Sequence, residues 1–531
     1  MERAPAGTGW LTAAWPDGTR LGLDAVAGRS GWRLQCRVTP AREVTVDAIG
    51  VRLRCDGADR LLVDGYHSWD WAGLREQHHA GVAWWGAIWG GAATPPVAVA
   101  LDAPPRLGAL WLAWEVPGQL DALCCGEPEQ QAERSASARP LRRLLAAGRA
   151  AASDPLRLHP LHSDDRRGAG LPRSSSRPAR QRLRGWLSWN CLGAQVTAAE
   201  VLAAAELVPE GGLVLLDDGW MPFWGDWYER AELGIGLPGL QAALARRRRS
   251  LGLWVAPFAV DQRAAAAAEL AGLVLRDERG EPVVDRRPAA PQLVLDASRP
   301  AAREHLRRLG ARLGAIGVQA LKTDFLYEAA LPGARARGWS GVQALRAGMR
   351  ALVEGFRTTA AADSVVLACG APAPPLVGLV DACRSGGDAV IGIPAANVPL
   401  PPRPWFIHGE ARVRAQERNL AARAWLWGST MPPDVDAVTF GAVGDTPPVD
   451  GALLERWLRL ARRAAGPFLV SDLPHGLPGR RAHRLRSELS HQPGTAVPAR
   501  PVDPLALAPT PAGDDHFHAW QESLPEHWDP R

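Results

Sequence analysis

The strongest constraint on the fold of this chain is an alternation of short apolar runs with helix-like segments, which begins near Arg184. Eight apolar runs are candidate strands, and they span residues 185–189, 213–216, 251–255, 320–322, 365–368, 379–382, 425–427 and 468–470. Segments of helical composition lie between them, for example 197–207, 239–249, 301–315, 342–358 and 411–426. Eight strand–helix repeats predict an α/β fold, with a (β/α)₈ TIM barrel over residues 183–475. A doubly wound sheet would show the same alternation, but the number of strands favours the barrel.

The regions that flank this alternation have different textures. Residues 1–131 contain short alternating runs separated by Gly, Pro and Asp, which predict an N-terminal β-sandwich. Residues 132–182 are rich in Arg, Ala, Ser and Pro, and we interpret them as a linker with one helix around 140–151. Residues 476–531 are rich in Pro and polar residues, and predict a short β or irregular C-terminal segment, in effect a truncated β-domain.

Tryptophan is concentrated in one stretch of the N-terminal region, at Trp69, Trp71, Trp84, Trp85 and Trp89. These side chains can belong to the core of the sandwich, where large apolar residues are commonly found. They can also form an aromatic rim that faces a carbohydrate, because the flat indole packs well against the C–H faces of a sugar. The sequence leaves both interpretations open.

Charge and cysteine content argue against several functional classes. The 61 basic and 56 acidic residues give a formal net charge of +5 and are spread along the chain, so no nucleic-acid partner is predicted. The seven cysteines include no CxxC pair, which argues against a zinc site. The sequence has neither an apolar N-terminal segment nor an apolar run long enough to span a bilayer, so we expect a cytoplasmic protein without a membrane partner.

In a (β/α)₈ barrel, the residues that act on a ligand lie where the strands end. The residues that end or follow the candidate strands are carboxylates, one Lys, one Arg and several Trp, without His: Trp189, Asn190, Asp217, Asp218, Trp220, Trp254, Lys322, Asp324, Cys369, Gly370, Arg384, Asp388, Ser471 and Asp472. Carboxylates and cations hold sugar hydroxyls by charge-assisted hydrogen bonds, and two carboxylates can act as nucleophile and acid/base. Neither a metal-ligand set nor a phosphate-binding glycine loop is present, so we predict no metal and no cofactor.

Lys322 is the only lysine of the sequence, in a chain whose other basic residues are arginines. Lysine is a compact point donor and does not replace the planar arginine fork in a tight pocket, so its retention is informative. It lies two residues before Asp324, and on a strand both side chains point to the same face. A cation there favours the charged carboxylate that a nucleophile requires.

Five motifs, in order along the chain, resemble the melibiase-type α-galactosidases of glycoside hydrolase family 36. They are Val63-Asp64-Gly65-Tyr66-His67-Ser68-Trp69, Gly185-Trp186-Leu187-Ser188-Trp189-Asn190, Leu216-Asp217-Asp218-Gly219-Trp220, Leu321-Lys322-Thr323-Asp324-Phe325-Leu326-Tyr327, and the stretch from Ala368-Cys369-Gly370 to Arg384 and Asp388. The likeness covers residues from about 60 to 475, with a gap over the linker. One departure from the family is the pair Gly386-Gly387 before Asp388, which predicts a looser backbone at that residue.

The resemblance implies a role for each matched residue. Asp324 would be the nucleophile and Asp388 the general acid/base. The remaining site residues would bind the sugar: Asp217 and Asp218 at its 4- and 6-hydroxyls, Lys322 at a ring hydroxyl, Arg384 near the 2-hydroxyl with Cys369 and Gly370 beside it, and Trp189, Trp220 and Trp254 as walls of the pocket. The resemblance therefore implies a retaining hydrolase of terminal α-D-galactosyl residues, with oligosaccharides of the melibiose and raffinose kind as substrates.

Three alternatives and one further question remain open at this point. An α-N-acetylgalactosaminidase or a galactosyl transferase could use the same scaffold. A catalytically weak carbohydrate-binding protein is also compatible with the glycines before Asp388 and the short C-terminal segment. The sequence does not decide whether the chain forms a homo-oligomer.

Overall fold

The computed structural model describes residues 8–14, 16–28, 31–46, 49–54, 58–63, 65, 67–69, 72–75, 81–90, 97–101, 109–116, 119–126, 143–145, 151–152, 154, 156–160, 183–286, 290–389, 409–423, 431–443 and 447–490. The predictions that concern Trp71, residues 425–427 and residues 491–531 lie outside this described part of the chain.

The N-terminal region consists of antiparallel strands. Its strands are β1 (Thr8–Ala14), β2 (Arg20–Gly28), β3 (Gly31–Thr39), β4 (Val44–Val46), β5 (Ile49–Arg54), β6 (Ala58–Val63), β7 (Gly73–Arg75), β8 (Gly81–Ala83), β9 (Trp85–Gly90), β10 (Val97–Leu101), β11 (Ala109–Val116), β12 (Gln119–Gly126), β13 (Arg143–Leu145), β14 (Ala151–Ala152) and β15 (Leu156–Pro160). A large sheet has the strand order β1-β2-β3-β15-β10-β9-β6-β7, a second sheet has the order β5-β12-β11-β8, and β4 pairs with β13. The predicted N-terminal β fold is confirmed.

The segment expected to be a linker contributes to this β region. Residues Leu156–Pro160 of β15 pair with both β10 and β3, and β14 also pairs with β3. The helix expected around 140–151 is wrong where the structure describes that range, because Arg143–Leu145 pairs with β4 as a strand. Strand pairing between residues far apart in sequence therefore determines the structure here, rather than the local composition.

The second region is a (β/α)₈ barrel, as predicted. Its strands, with a small excursion sheet between the third and fourth, are β16 (Arg184–Leu187), β17 (Leu213–Leu216), β18 (Ser250–Val255), β19 (Ala259–Asp261), β20 (Val284–Asp285), β21 (Gln292–Val294), β22 (Ala320–Thr323), β23 (Val365–Ala368), β24 (Ala382–Arg384), β25 (Pro433–Asp434) and β26 (Phe468–Val470). The parallel order is β25-β24-β23-β22-β18-β17-β16-β26. The ring closes where Val438, just after β25, bridges Val470 of β26.

Two barrel strands differ from their predicted positions. The sixth strand is Ala382–Arg384 rather than 379–382, so Arg384 lies in the strand itself. The seventh is Pro433–Asp434, whereas the sequence pointed to 425–427. This strand is only two residues long, begins with proline and has no apolar run, so its sequence gives no strand signal.

Helices surround the barrel: α1 (Trp189–Leu192), α2 (Ala198–Ala204), α3 (Leu237–Arg246), α4 (Ala265–Leu270), α5 (Pro300–Ala315), α6 (Gly341–Thr359), α7 (Gly409–Ala422), α8 (Gly451–Ala464) and α9 (Gly479–Ser490). The capping box predicted at Thr197 and Glu200 is present at the start of α2, and Ser340 with Gln343 forms another at α6. No helix in the described ranges is long and apolar enough to cross a membrane.

The beginning of the C-terminal segment is helical rather than β or irregular. Helix α9 follows the eighth strand, and its Leu485 and Leu489 are buried in the main hydrophobic core. Arg481 donates hydrogen bonds to the carbonyl oxygens of Phe440 and Val449, which fixes the helix against the loop after β25. The barrel therefore extends to residue 490 instead of ending at 475.

Glycines bring α5 and α6 unusually close, next to the strand that carries Asp324. A Cβ atom on Gly310 would lie 2.1 Å from the carbonyl oxygen of Leu352, and one on Gly355 would lie 2.0 Å from that of Arg307. Both distances are far shorter than real Cβ contacts, so the two helix backbones approach each other only because these positions lack side chains.

We predict that Gly310→Ala lowers the free energy of unfolding by about 3 kcal/mol, because the added methyl group forces two packed helices apart. Gly451→Ala is the matched control, since a Cβ at the start of α8 meets no atom within 4 Å. Urea denaturation of both variants measures the effect. Equal stability of the two variants would contradict the close approach of α5 and α6.

Candidate active site

The alternation of side chains along the barrel strands places the predicted site residues on one face. Eight residues form a separate hydrophobic cluster that fills the barrel interior: Leu187, Leu213, Leu215, Ala320, Leu367, Ala382, Ala437 and Leu469. Because successive side chains on a strand alternate, the residue two positions after an interior residue also points inward. Trp189, Asp217, Lys322, Cys369 and Arg384 each stand two positions after a member of this cluster, at the strand ends. The inward orientation predicted for Lys322 and Asp324 is therefore consistent with the register.

Lys322 joins the second and fourth strands through a buried ion cluster. Its Nζ lies 2.7 Å from Asp217 Oδ2 and 3.7 Å from Asp324 Oδ2, and all three side chains are less than a tenth exposed. Burial raises the pKa of Asp217, an effect that Lys322 opposes. Burial also disfavours the lysine charge, but Asp217 and Asp324 raise the pKa of Lys322 above its ordinary value. The cluster therefore holds a charged ammonium among carboxylates at neutral pH.

Two hydrogen-bond donors hold Asp324, in addition to its ion pair with Lys322. The indole N–H of Trp254 donates to Asp324 Oδ2 over 3.0 Å, and the backbone N–H of Phe325 donates to Asp324 Oδ1 over 2.8 Å. Phe325 adopts a left-handed backbone conformation with φ of 51°, which is uncommon for a residue that is not glycine. Donors on both oxygens stabilise the ionised carboxylate and fix its orientation.

Asp218 lies at the edge of the cluster and is partly exposed. Its backbone N–H donates to Asp217 Oδ1 over 2.9 Å, and its own Oδ1 accepts from the indole N–H of Trp224 over 2.9 Å. Burial, partly offset by the hydrogen bond from Trp224, raises the pKa of Asp218 to about 7. Trp224 also packs against Trp254 and Phe325, with ring centroids 5.3 and 4.7 Å away.

The three tryptophans predicted as pocket walls occupy different positions. Trp189 is partly buried and packs on the interior cluster at the start of α1. Trp254 is almost fully buried and contacts Asp324 through its N–H. Trp220 is completely buried, and its indole N–H donates to the carbonyl oxygen of Trp254 over 2.9 Å. Trp220 thus supports Trp254 from behind and does not line the open side of the site.

The N-terminal β region contributes the side chain of Trp69 to the site. The indole N–H of Trp69 donates to Cys369 Sγ over 3.3 Å, and its ring lies edge-on to Phe325 with centroids 5.0 Å apart. Gly370, with φ of 52°, packs beneath it: a Cβ there would lie 2.9 Å from the Trp69 ring. Trp84, from the same Trp-rich stretch, is buried as core. Trp84 therefore belongs to the core, as one interpretation of the stretch expected, whereas Trp69 packs on the strand ends of the barrel.

Arg384 forms the second charged cluster, together with three carboxylates. Its Nη1 lies 3.1 Å from Asp388 Oδ1, its Nε 3.2 Å from Asp434 Oδ2, and its Nη2 2.8 Å from Asp436 Oδ1. The Arg384 side chain is 1% exposed, whereas that of Asp388 is 39% exposed. Arg384 is thus committed to carboxylates, and Asp388 is the member of the cluster that opens toward solvent.

Helix α7 holds the loop that carries Asp388. The side-chain amide of Gln416 donates to the carbonyl oxygen of Gly387, and Ser385 Oγ donates to Gln416 Oε1 over 3.2 Å. A Cβ on Gly386 would come within 2.6 Å of that amide. Gly386 is therefore a point of close contact, and the loop is anchored more firmly than its two glycines suggested.

The same loop is tied to the N-terminal region through Arg423. Its Nη1 donates to the carbonyl oxygens of Ser68 and Ser385, over 2.9 and 2.8 Å. Ser68 in turn exchanges hydrogen bonds with Ala371, over 2.8 and 3.1 Å. The motif that contains Trp69 is thereby fixed on the barrel beside the ends of the fifth and sixth strands.

Cys369 lies between the two charged clusters. Burial raises the pKa of its thiol well above the ordinary value, and the charges of Asp324, Arg384, Lys322 and Asp388 all act on it. The fifth strand therefore separates a half that contains Lys322 and Asp324 from a half that contains Arg384 and Asp388. Within the described ranges, no group of three or more His, Cys, Asp and Glu side chains is arranged to hold a metal ion.

The contributors to the site that were missed in the sequence are Trp224, Gln416, Arg423, Asp434 and Asp436. Asp434 ends the seventh strand and Asp436 lies two residues later, so correct placement of that strand would have identified both. Gln416 lies on a helix, where the sequence gives no signal of what its side chain contacts. Trp224 stands four residues after Trp220, and this proximity to the Asp217-Asp218 motif was the only available signal.

Comparison with known proteins supports the fold. No model of a known protein family matches the chain. The structure is similar to that of the α-galactosidase TtGalA of Thermus thermophilus in complex with p-nitrophenyl α-D-galactopyranoside, with a TM-score of 0.64 and 23% identity over 91% of this chain and 95% of that one. The same enzyme in complex with stachyose gives a TM-score of 0.65 at 22% identity, covering 91% of this chain and 99% of that one.

A third similar structure is the family 36 α-galactosidase AgaA of Geobacillus stearothermophilus, with a TM-score of 0.62 and 14% identity over 91% of this chain and 68% of that one. The resemblance to family 36 drawn from the motifs is thus confirmed as a likeness of fold. At these levels of identity the likeness establishes the fold, and the activity has to be argued from the residues in the site.

We predict that Lys322→Met destabilises the protein by about 3–5 kcal/mol at pH 7.5, because it leaves Asp217 and Asp324 buried without their cation. Burial already raises the pKa of Asp217, and loss of the cation raises it further, so stability would fall as the pH rises from the unfolded to the folded pKa of this carboxyl. We therefore expect a smaller loss at pH 5. Urea denaturation at the two pH values measures both effects.

The control for this prediction is Arg414→Met, which removes a cation from an exposed ion pair with Glu410 on α7. Exposed pairs contribute little, so we expect nearly unchanged stability at both pH values. A loss for Lys322→Met that is the same at pH 5 and pH 7.5 would show that the lysine matters through packing instead of charge.

Proposed function

We propose that this chain is a retaining glycoside hydrolase that releases terminal α-D-galactosyl residues from oligosaccharides. The observation that carries the proposal is the pairing of two differently held carboxyls at the same end of the barrel. Asp324 is buried and fixed by two hydrogen-bond donors and an ion pair with Lys322, whereas Asp388 is bound through one oxygen to Arg384 and opens toward solvent. This contrast fits a nucleophile and a general acid/base, respectively.

Asp324 is proposed as the nucleophile. Its carboxylate would attack the anomeric carbon and form a glycosyl–enzyme, and the sugar–aglycone bond would break at the same time. Lys322, Trp254 and the Phe325 N–H would orient the carboxylate, so that little reorganisation is needed in the reaction. The extra charge of Lys322 would also offset the negative charge of Asp217 close by.

Asp388 is proposed as the general acid/base. In the first step it would give a proton to the departing oxygen, and in the second it would take one from the water that hydrolyses the glycosyl–enzyme. A group in this role needs access to the leaving group and to water, which its exposure allows. Two displacements at the same carbon return the sugar with its original anomeric configuration.

The remaining polar residues are proposed to bind the galactosyl hydroxyls. Asp217 and Asp218 would accept from the 4- and 6-hydroxyls, and Lys322 would donate to a ring hydroxyl. Trp189, Cys369 and Gly370 would line the pocket with the aromatic group of Trp69. Arg384, first expected near the 2-hydroxyl, is better suited to orient Asp388, because all the contacts described for its guanidinium are with carboxylates.

The ligands of similar structures support galactosides of the raffinose type as substrates. TtGalA is seen with p-nitrophenyl α-D-galactopyranoside and with stachyose, and an AgaA variant is seen with raffinose. The cytoplasmic location is a part of the proposal that rests on the sequence alone.

We predict that the wild-type chain hydrolyses p-nitrophenyl α-D-galactoside and that Asp324→Ala lowers kcat at least about 10³-fold, because no nucleophile remains. Added azide would occupy the vacated space and restore turnover of Asp324→Ala, giving β-galactosyl azide as the product. Release of p-nitrophenol and the anomeric configuration of the azide product are the measurements.

The matched control is Asp226→Ala, which removes a carboxylate of similar burial that accepts from the Ala265 and Ala266 N–H groups at the start of α4. We expect no azide rescue in that variant. Turnover by the wild-type chain of the N-acetylgalactosaminide alone, or of neither substrate, would overturn the proposed α-galactosidase.

A further inference from the structure

Asp436, on the loop after the seventh strand, contacts the segment of Asp388 in two ways. Its Oδ1 forms an ion pair with Arg384 Nη2 at 2.8 Å, and Arg384 Nη1 donates to Asp388 over 3.1 Å. Its Oδ2 accepts from the backbone N–H of Ala389, the next residue along the chain, over 2.7 Å. One oxygen of Asp436 thus forms an ion pair with the guanidinium that holds Asp388, and the other accepts a hydrogen bond from the backbone beside it.

The backbone of Asp436 is arranged for these contacts. Its φ is 70°, in the left-handed region that aspartate adopts more readily than most residues other than glycine. The backbone N–H of Asp436 donates to Asp434 Oδ1 over 2.9 Å, so the two carboxylates are held in a fixed relation. The Asp436 side chain is 1% exposed, which leaves it no contact with a sugar.

The charges in this cluster do not balance. Four other ionisable groups face Asp388 and Asp436 in the described structure. They are Cys369 just after β23, Arg384 of β24, Asp434 of β25 and Arg412 of α7. Two arginines oppose three carboxylates, so one proton neutralises the set, and burial raises the pKa of Asp436 to about 6. Asp434 and Asp436 share Arg384 with Asp388, which limits how strongly the guanidinium stabilises the charged form of Asp388.

We propose that Asp436 is the positioning residue of the acid/base: it holds Asp388 in place through Arg384 and the Ala389 N–H, and it keeps Arg384 from stabilising an ionised Asp388. This rests on the proposed function of Asp388. Asp436 touches neither the sugar nor the reacting atoms, so its effect is exerted on the proton transfer alone.

The kinetic test uses Asp436→Asn and two substrates that differ in their need for an acid. An alkyl α-galactoside has a poor leaving group that must be protonated, whereas p-nitrophenolate leaves without help. We expect Asp436→Asn to lower kcat/KM about 10²-fold on the alkyl substrate and less than about tenfold on the aryl substrate. The alkaline limb of the pH profile should move about one unit toward lower pH, because Arg384 loses a competing negative charge.

The matched control is Asp472→Asn. Asp472 is also a buried strand-end aspartate that accepts from backbone N–H groups, those of Phe440 and Gly441, but no contact with Arg384 or Asp388 is found for it in the described structure. Its substitution should change both substrates by the same factor. An Asp436→Asn variant that also loses the same factor on both substrates would overturn the proposal, because that pattern indicates a general structural role.

A second measurement does not depend on any activity. Hydrogen exchange followed by mass spectrometry on peptides that cover residues 385–389 reports the Ala389 N–H, and we expect exchange there to be about tenfold faster in Asp436→Asn than in Asp472→Asn. Unchanged exchange would overturn the positioning role. Faster exchange in a chain whose wild type hydrolyses neither substrate would refute the proposed hydrolase while supporting the anchoring of this loop by Asp436.

Discussion

The buried contact of Lys322 with Asp217 and Asp324 is the interaction on which the arrangement of this site depends. Two carboxylates brought together inside a barrel repel each other and lose their hydration, and the ammonium between them offsets both costs. Because the three residues belong to two strands, the ion cluster also fixes the relative positions of those strand ends. Trp254 and Phe325 donate hydrogen bonds to that fixed carboxylate, and Trp224 packs on both of their rings.

The two halves of the site are built by different means. On the side of Asp324, strand register alone places the charges, since residues two apart on β22 face the same way. Asp388 itself lies four positions beyond Arg384, in a loop. Its position depends on long-range contacts with α7 and with the loop after β25. The contacts of Gln416, Asp436 and Arg423 hold the loop of Asp388 in place, as the barrel strands hold the residues around Asp324.

Features that follow from the apolar run of a strand could be predicted from the sequence, whereas features that depend on contacts between distant residues could not. Strands with apolar runs, such as 213–216 and 365–368, were located correctly together with the residues at their ends. The seventh strand has no apolar run, so Asp434 and Asp436 stayed unnoticed. Helix α9 is rich in arginine and buries mainly Leu485 and Leu489, which made it look like a polar tail. The strands at 143–145 and 156–160 form through pairing with distant partners that local composition does not reveal.

Because the sequence has a single lysine, the acylation of a lysine side chain reports on one defined position in the barrel. Acylating reagents attack neutral, accessible amines, and the side-chain amine of Lys322 is 5% exposed and held in its charged form. Such an amine reacts only after its ion pairs with Asp217 and Asp324 open and it loses its proton. The rate at which the lysine becomes acylated therefore measures how often this ion cluster opens in the ligand-free chain.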